Sequence, residues 1–328
     1  MKKYVVLFII ILFFGCKKET ESIDVSFYFW KTTFSLTPKE EAFLKDLEVA
    51  KLYIRYFDVG LKNDIALPVA PIVFKEKPTA YKVVPVVYIK NEVFLKSIAT
   101  DSLALNIHKY IQQINQSAGV EIDEIQFDCD WSLKSKQNYF QFIEEFKKLH
   151  PNVSATIRLH QVKYPEKTGV PKVTSGTLMY YNMGTISADE SNSIYSQKVA
   201  KNYVRSLQNY KLPLNIALPI FSWGVQVRDN QIVNLIGGMR LKDLEQSHFE
   251  KISEKRYKVV KDVVYQGRYL AQNDEIKLED VSASQLKEMM SDIKNNRSQK
   301  PNEIILYDLN ENNLNAYEKE DFKNINRW

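Results

Sequence analysis

Cysteine, glycine and proline are scarce in this sequence. Among 328 residues there are two cysteines, Cys16 and Cys129, with ten glycines and eleven prolines. Two cysteines cannot build a disulfide framework, and the low glycine and proline content excludes collagen-like or linker-dominated chains. The net charge of +5 is small and dispersed, so it does not indicate a nucleic-acid partner. A composition of 45% hydrophobic and 26% charged residues is that of an ordinary globular protein.

The apolar run at the N-terminus is too short for a membrane span. It covers residues 4–14, against the about 20 residues that a spanning helix needs, and it follows Lys2 and Lys3. A basic start, a short apolar core and a small residue at its end are typical of a secretory signal peptide. The alternative is a buried N-terminal strand with an incidental cysteine.

The end of this run, Phe13-Phe14-Gly15-Cys16, resembles a bacterial lipobox. The resemblance implies cleavage before Cys16, acylation of that cysteine and an anchor in the lipid bilayer of the cell or outer membrane. We therefore expect a signal peptide over residues 1–15, a lipidated tether over 16–24 and a folded domain over 25–328.

Short apolar segments alternate with amphipathic ones through the rest of the chain. This alternation predicts an α/β protein, and eight strands over about 285 residues favour a (β/α)₈ TIM-like barrel. Thr37, Pro38 and Glu40 form a helix-start pattern that predicts a helix ending near Asp46. The predicted strands are 25–30, 51–59, 82–89, 124–131, 153–160, 177–183, 214–221 and 303–308.

The segment between predicted strands seven and eight breaks this alternation. Asp229-Asn230 lies between two short β-like segments and predicts a hairpin turn, and residues 257–270 are also β-rich. Ser282, with Gln285 three positions later, predicts the start of another helix. We interpret residues 224–299, approximately, as a β-rich insertion at the mouth of the barrel.

Polar and aromatic residues gather at the carboxyl ends of the predicted strands, where the site of such a barrel lies. Aromatic faces beside polar groups suit a sugar, whose C–H face stacks while its hydroxyls form hydrogen bonds. The alternative is that solvent simply begins where strands end. The candidate ligand-binding residues are Trp30, Arg55, Trp131, Arg158, His160, Tyr181, Asn182 and Trp223.

Predicted strand four carries two acids, Asp128 and Asp130, above Gln126. Because side chains alternate along a strand, both carboxylates are expected on the same face, toward the barrel interior. Such a pair suits acid/base catalysis or a bound cation, since one carboxyl acquires a raised pKa. The alternative is a structural pair held by Arg55 or Arg158.

Residues typical of a cofactor or metal site are lacking. No two histidines have metal-ligand spacing, and Cys129 is expected to face away from the two aspartates. The sequence contains no glycine-rich phosphate loop and no nucleotide-binding fingerprint. We therefore expect neither a cofactor nor a metal.

Two motifs resemble those of family 18 glycoside hydrolases, the chitinases and their relatives. That family carries D-x-x-D-x-D-x-E at barrel strand four, which places Asp128 and Asp130 on its second and third acids and Trp131 on a common tryptophan. Ile125 and Ser132 depart from the first acid and from the catalytic glutamate. The segment 179–182, Met-Tyr-Tyr-Asn, is similar to that family's M-x-Y-D, which implies that Tyr181 helps to hold an acetamido group.

The serine at position 132 leaves two functions open. A serine hydroxyl cannot protonate a leaving group, so a hydrolase would need Asp130, Asp58 or Asp308 as its acid. Without such an acid, the barrel only binds glycan. We expect a cell-envelope lipoprotein that acts on or binds a glycan, with Asp128 and Asp130 as candidate catalytic residues. The alternative is a non-catalytic glycan-binding or scaffold lipoprotein.

Overall fold

The fold is described by a computed structural model, which covers residues 22–297 and 299–327. The proposed signal peptide and Cys16 lie outside the described residues. In the described part of the chain, no helix has the length and apolar character required to cross a membrane.

The strands and helices alternate along most of the chain, as the sequence predicts. The strands are β1 (Asp24–Phe29), β2 (Thr33–Phe34), β3 (Lys51–Lys62), β4 (Ile65–Val69), β5 (Val73–Phe74), β6 (Lys82–Ile89), β7 (Ile125–Asp128), β8 (Val153–Arg158), β9 (Ser175–Met179), β10 (Leu214–Pro219), β11 (Trp223–Arg228), β12 (Gln231–Gly237), β13 (Phe249–Lys251), β14 (Arg256–Val259), β15 (Val263–Tyr265), β16 (Arg268–Leu270), β17 (Glu275–Glu279) and β18 (Glu303–Tyr307). The helices are α1 (Pro38–Asp46), α2 (Asn91–Leu95), α3 (Thr100–Ala118), α4 (Lys136–Lys147), α5 (Leu159–Lys163), α6 (Pro165–Thr168), α7 (Gln197–Val204), α8 (Leu241–Leu244), α9 (Ala283–Asn295), α10 (Glu311–Leu314) and α11 (Lys319–Ile325), with a 3₁₀-helix over Arg205–Asn209.

Eight parallel strands close into a barrel, in the order β1, β18, β10, β9, β8, β7, β6 and β3. The ring closes because β1 pairs with both β18 and β3, with Phe27 opposite Leu306 on one side and Leu52 on the other. The predicted (β/α)₈ barrel is therefore confirmed. The closed ring brings the carboxyl ends of all eight strands to a single mouth.

Local sequence explains why these elements form. The strands β6 and β10 are mostly apolar and are largely buried on both faces, as is typical of strands covered by helices. Helix α1 begins as predicted: Thr37 accepts a hydrogen bond from the Glu40 N–H, Glu40 accepts one from the Thr37 N–H, and Pro38 occupies the first turn. The last helical residue is Asp46.

The segment between β10 and β18 adds a five-stranded antiparallel sheet, ordered β12, β11, β17, β14 and β13. The turn between β11 and β12 has positive φ at Asp229 (48°) and Asn230 (60°), the backbone of a tight hairpin turn. This sheet has its own small hydrophobic core, whereas α9, which begins after Ser282 as expected, packs into the core of the barrel. The helical end of the proposed insertion therefore completes the barrel's outer ring.

Several strands end earlier than the alternation predicts. Strand β7 ends at Asp128, and β8 ends at Arg158, after which His160 lies on α5. Arg158 and His160 therefore do not share a strand face, which corrects the expectation from strand periodicity. The sequence overestimates the length of these strands because apolar residues continue past the last strand hydrogen bond, where the chain already turns toward the next helix. The hairpin of β3 and β4 was not predicted.

Candidate functional site

Two adjoining cavities open at the carboxyl ends of the barrel strands. Their volumes are about 570 and 320 Å³, and Arg158, Tyr181 and Asn182 line both. The larger also contains Asp128 and Trp223 from the predicted set. The smaller contains Asp130 and His160. We call the two cavities together the cleft.

Asp128 lies at the end of β7 and is buried in the wall of the cleft. Its Oδ1 accepts a hydrogen bond of 2.6 Å from the Thr156 hydroxyl on the neighbouring strand β8. Burial raises the pKa of Asp128, whereas the positive charge of Arg158 opposes that rise. Below it, Gln126 accepts a hydrogen bond of 2.6 Å from Tyr28, which anchors the polar centre to the barrel interior.

Arg158 binds both Asp128, at the end of β7, and Asp130, two residues beyond it. Its guanidinium forms an ion pair with Asp130, including an Nη2–Oδ2 contact of 3.1 Å, and lies 3.7 Å from Asp128 Oδ1. The Asp128 side chain is 8% exposed, whereas that of Asp130 is 50% exposed. Of the two arginines considered from the sequence, Arg158 therefore holds the pair. Arg55 instead binds Asp58 (2.8 Å) and a backbone oxygen, outside the cleft.

Aromatic side chains form one wall of the larger cavity. Tyr181 stacks on Tyr307 with ring centres 5.6 Å apart, and Phe221 meets Tyr181 edge-on at 5.7 Å. Trp223 lies 5.1 Å from Phe221. The Tyr181 hydroxyl donates to the Met179 sulfur, and burial raises its pKa above the ordinary value. This wall offers apolar ring faces beside the charged groups of Asp128 and Arg158.

The orientation of Trp223 depends on the inserted sheet. Its indole N–H donates to Glu279 Oε2 over 2.9 Å, and Glu279 forms a buried ion pair of 2.7 Å with Lys277. Lys277 also donates to the backbone oxygens of Ser187 and Ser191, on the loop after β9. Strand β17 therefore fixes both this tryptophan and that loop against the barrel.

The end of β18 contributes Tyr307 and Asp308 to the larger cavity. Asp308 was predicted only as one of three possible acids, and Tyr307 was not predicted. Asp308 Oδ1 accepts a hydrogen bond of 2.6 Å from Asn313 Nδ2, and burial raises the pKa of Asp308 to about 6. The signal available was the amide-rich run after the strand, from which Asn310 and Asn312 also line the cavity.

Three predicted ligand-binding residues lie outside the cleft. Trp131 is buried, stacks on Tyr139 and donates from its indole N–H to the Thr168 oxygen over 3.0 Å, so it presents no face to a ligand. Trp30 packs edge-on against Tyr307, Arg55 binds Asp58, and neither side chain lines the cleft. The chain leaves the barrel directly after Asp128, which turns the tryptophan into the core instead of the mouth.

Ser132 does not face the cleft either. Its N–H donates to the Ser135 hydroxyl over 2.9 Å, and its own hydroxyl lies 3.2 Å from the same atom. Ser135 is fully buried, so this contact ties position 132 to the loop that leads into α4. The position that would hold a catalytic glutamate therefore belongs to a turn.

His160 lies in the first turn of α5 and lines the smaller cavity with Asp130. Partial burial lowers the pKa of His160, an effect that the charge of Asp130 opposes. A lowered pKa favours the neutral imidazole at pH 7, which both donates and accepts hydrogen bonds. Within residues 22–297 and 299–327, no group of three or more histidine, cysteine or acidic side chains is arranged to hold a metal ion.

The (β/α)₈ fold is similar to that of solved chitinase-like structures, among them a GH18 chitinase. The spore cortex-lytic enzyme SleL of Bacillus cereus matches with a TM-score of 0.59 and 10% identity, over 93% of this chain and 74% of that one. A GH18 chitinase from Cycas revoluta in complex with (GlcNAc)₃ matches with 0.53 and 10%, over 93% and 97%. A chitinase-like agglutinin from Robinia pseudoacacia matches with 0.53 and 12%, over 89% and 99%.

The TM-scores show a shared fold, and at 10–12% identity the activity of this chain must be argued from its own residues. No protein-family model matches the sequence, and a search of curated proteins finds no relative.

Proposed function

We propose that this protein is an exported, lipid-anchored barrel that binds a glycan in the cleft. The observation that carries the proposal is the wall of Tyr181, Phe221 and Trp223 beside the polar groups of Asp128 and Arg158. Ring faces bury the C–H surface of a sugar, while buried charged groups accept and donate hydrogen bonds to its hydroxyls.

The fold neighbours support a glycan as the ligand class. One is a chitinase in complex with (GlcNAc)₃, and another is a chitinase-like agglutinin. Within this chain, Arg158 lies beside both Asp128 and Asp130, and Ser132 belongs to a turn. The strand-four segment is therefore better suited to holding a ligand than to protonating one.

The test is a binding measurement on the full chain in detergent, by isothermal titration with chitin oligosaccharides and peptidoglycan fragments. We expect binding that Trp223→Ala weakens about tenfold, which corresponds to about 1.4 kcal/mol. Tyr81→Ala is the matched control, because Tyr81 precedes β6 at the opposite end of the barrel. Absence of binding to every glycan, or equal weakening by both substitutions, would refute the proposal.

The lipid anchor rests on the lipobox-like segment at Cys16. Two or more acyl chains hold a protein firmly, since each buried CH₂ contributes about 0.8 kcal/mol. We expect the full chain to partition into the detergent phase and Cys16→Ser to move to the aqueous phase. Cys129→Ala is the control: Cys129 is buried in the barrel, so its loss should leave partitioning unchanged. An unmodified Cys16 in the mass spectrum would contradict the anchor.

A further inference from the structure

The three carboxyl groups of the cleft differ in their partners. Asp128 and Asp130 both lie beside the guanidinium of Arg158. Asp308 instead accepts a hydrogen bond from a neutral amide, that of Asn313, and forms no ion pair within 4 Å among the described residues. The charge of Lys31 lowers the pKa of Asp308 and that of Glu40 raises it, and these two side chains form an ion pair of 2.6 Å with each other. Among the described residues, Asp308 is therefore the carboxyl of the cleft without a direct ion-pair partner.

The Asp308 carboxyl is also held in position from behind. Asn313 Nδ2 donates to Asp308 Oδ1 over 2.6 Å and to the Asp308 backbone oxygen over 3.1 Å. Asn313 Oδ1 in turn accepts a hydrogen bond of 2.8 Å from buried Arg240, which also binds the Ile220 backbone oxygen. This chain fixes the orientation of the Asn313 amide, so its N–H group points to the carboxyl.

Burial gives Asp308 the protonation behaviour of a general acid. Its pKa is raised to about 6, so a large fraction of the carboxyl stays protonated in mildly acidic solution. Asp128 lines the same cavity, with one oxygen bound by Thr156 and the charge of Arg158 close by. The cavity therefore holds two carboxyl groups in unlike environments, which is how a site separates an acid from a base.

We propose that Asp308 is the proton donor and Asp128 the base of a glycosidic-bond hydrolysis in this cleft. The proposal rests on the glycan binding inferred above. Asp308 donates its proton to the glycosidic oxygen as the C1–O bond breaks. A water molecule attacks C1, and its proton passes to the Asp128 carboxylate. Exchange with solvent then reprotonates Asp308 and deprotonates Asp128, so the net reaction consumes one water for each bond cleaved.

In this arrangement the acid comes from the end of the last barrel strand, β18. The motif at the fourth barrel strand has Ser132 where an acid would stand. Ser132 is tied to Ser135 and does not reach the cleft. Asn313 is a positioning residue, because it acts through its hydrogen bonds to Asp308 and not on the substrate itself.

The first experiment incubates the full chain in detergent with chitin tetrasaccharide and with peptidoglycan fragments, and counts new reducing ends between pH 4 and 8. We expect product, with kcat/KM falling about tenfold per pH unit above the pKa of the acid. This profile needs no substitution, so it tests the proposal even if variants at position 308 fail to fold. Binding without any product overturns the catalytic proposal and leaves glycan binding intact, whereas absence of binding overturns both.

The second experiment compares Asp308→Asn with the matched control Asp64→Asn, an exposed aspartate paired with Lys96. We expect the first to reduce turnover about 100-fold or more with unchanged affinity, and the second to leave turnover unchanged. With 2,4-dinitrophenyl chitobioside, whose leaving group needs no proton, Asp308→Asn should retain most of the rate. An equal loss on both substrates, or full turnover of the tetrasaccharide by Asp308→Asn, would overturn the role of Asp308.

Discussion

Arg158 sets the charge balance of the cleft. It lies between a nearly buried carboxylate, Asp128, and a half-exposed one, Asp130, and so leaves one net negative charge among the three groups. A buried carboxylate without its cation costs several kcal/mol, because its desolvation is no longer offset. The arginine therefore stabilises the fold as well as the site.

Arg158→Gln should lower the free energy of unfolding by about 3 kcal/mol at pH 7.5, from loss of a partly buried ion pair. The effect should shrink toward pH 4.5. The pKa of Asp128 is already raised by burial, and it rises further without the guanidinium. As the pH falls, the Asp128 carboxylate of the variant therefore becomes protonated, which removes its repulsion of Asp130 and the cost of burying its charge. Urea unfolding of the full chain at the two pH values measures this.

The control for that measurement is Arg268→Gln on the exposed hairpin of the insertion. It should change stability little at either pH. A destabilisation by Arg158→Gln that is the same at both pH values would show that packing, and not charge, explains the loss.

The sequence predicts some of these side chains better than others. Asp128, Arg158, Tyr181 and Asn182 were identifiable, because the residues that end barrel strands must reach the mouth. Trp131 was not, because its direction depends on where β7 stops. A strand that ends three residues early turns a side chain from the mouth into the core, and residue type carries no signal of that.

At the scale of elements, strand β9 shows how tightly the outer face of the barrel is packed. A Cβ at Gly176 would lie 2.7 Å from Ile157 Cγ1, 2.9 Å from Leu214 Cδ2 and 3.0 Å from Leu212 Cδ2. These contacts come from side chains of β8 and β10 and of the loop before β10. The glycine is therefore required by its neighbours and not by its backbone conformation.

Gly176→Ala should destabilise the protein by about 1–3 kcal/mol, since overpacking forces the neighbouring side chains to move. Gly237→Ala is the matched control, because a Cβ at Gly237 at the end of β12 would meet nothing within 4 Å. Alanine there should be neutral or slightly stabilising. Thermal unfolding followed by circular dichroism distinguishes the two, and similar midpoints for both variants would contradict this account of packing.

Elements with local signals were predicted closely, and those that depend on tertiary contacts were not. The capping box at Thr37 and the buried strand β6 were identified with their limits, because each is encoded within a few residues. Strand β4 continues the sheet beyond β3, and its Ile65 and Leu67 are exposed, so no burial pattern marks it. Strand β4 forms because it pairs in antiparallel fashion with the last residues of β3, Asp58 to Lys62.

At the scale of the whole molecule, two hydrophobic cores differ greatly in size. The core of the inserted sheet comprises Ile236, Met239, Leu244, Tyr257, Val259, Leu270, Ile276 and Leu278, whereas the barrel core is several times larger. Local opening costs less where fewer apolar side chains are buried. The wall of the cleft that carries Trp223 therefore borders the less stable part.

Native-state hydrogen exchange should show this difference. Amides of β14 (Arg256–Val259) should open at a lower free energy than those of β8 (Val153–Arg158), and a bound oligosaccharide should slow exchange in the inserted sheet more than in β8. Equal opening free energies in the two strands would mean that insertion and barrel form one cooperative unit, with the hydrogen bonds from Lys277 to Ser187 and Ser191 among the contacts that join them.

The described chain enters the barrel on the side away from the cleft. Ser22 pairs with Arg327, and the Ile23 N–H donates to the Asn326 oxygen over 2.8 Å, where β1 begins. Five residues lie between Cys16 and Ser22, and the six residue steps from one to the other reach at most about 20 Å. If Cys16 is acylated as proposed, the anchor would be attached at the end of the barrel opposite the cleft. A glycan outside the bilayer could then enter the cleft, whereas the lipid headgroups would lie at the opposite end of the barrel.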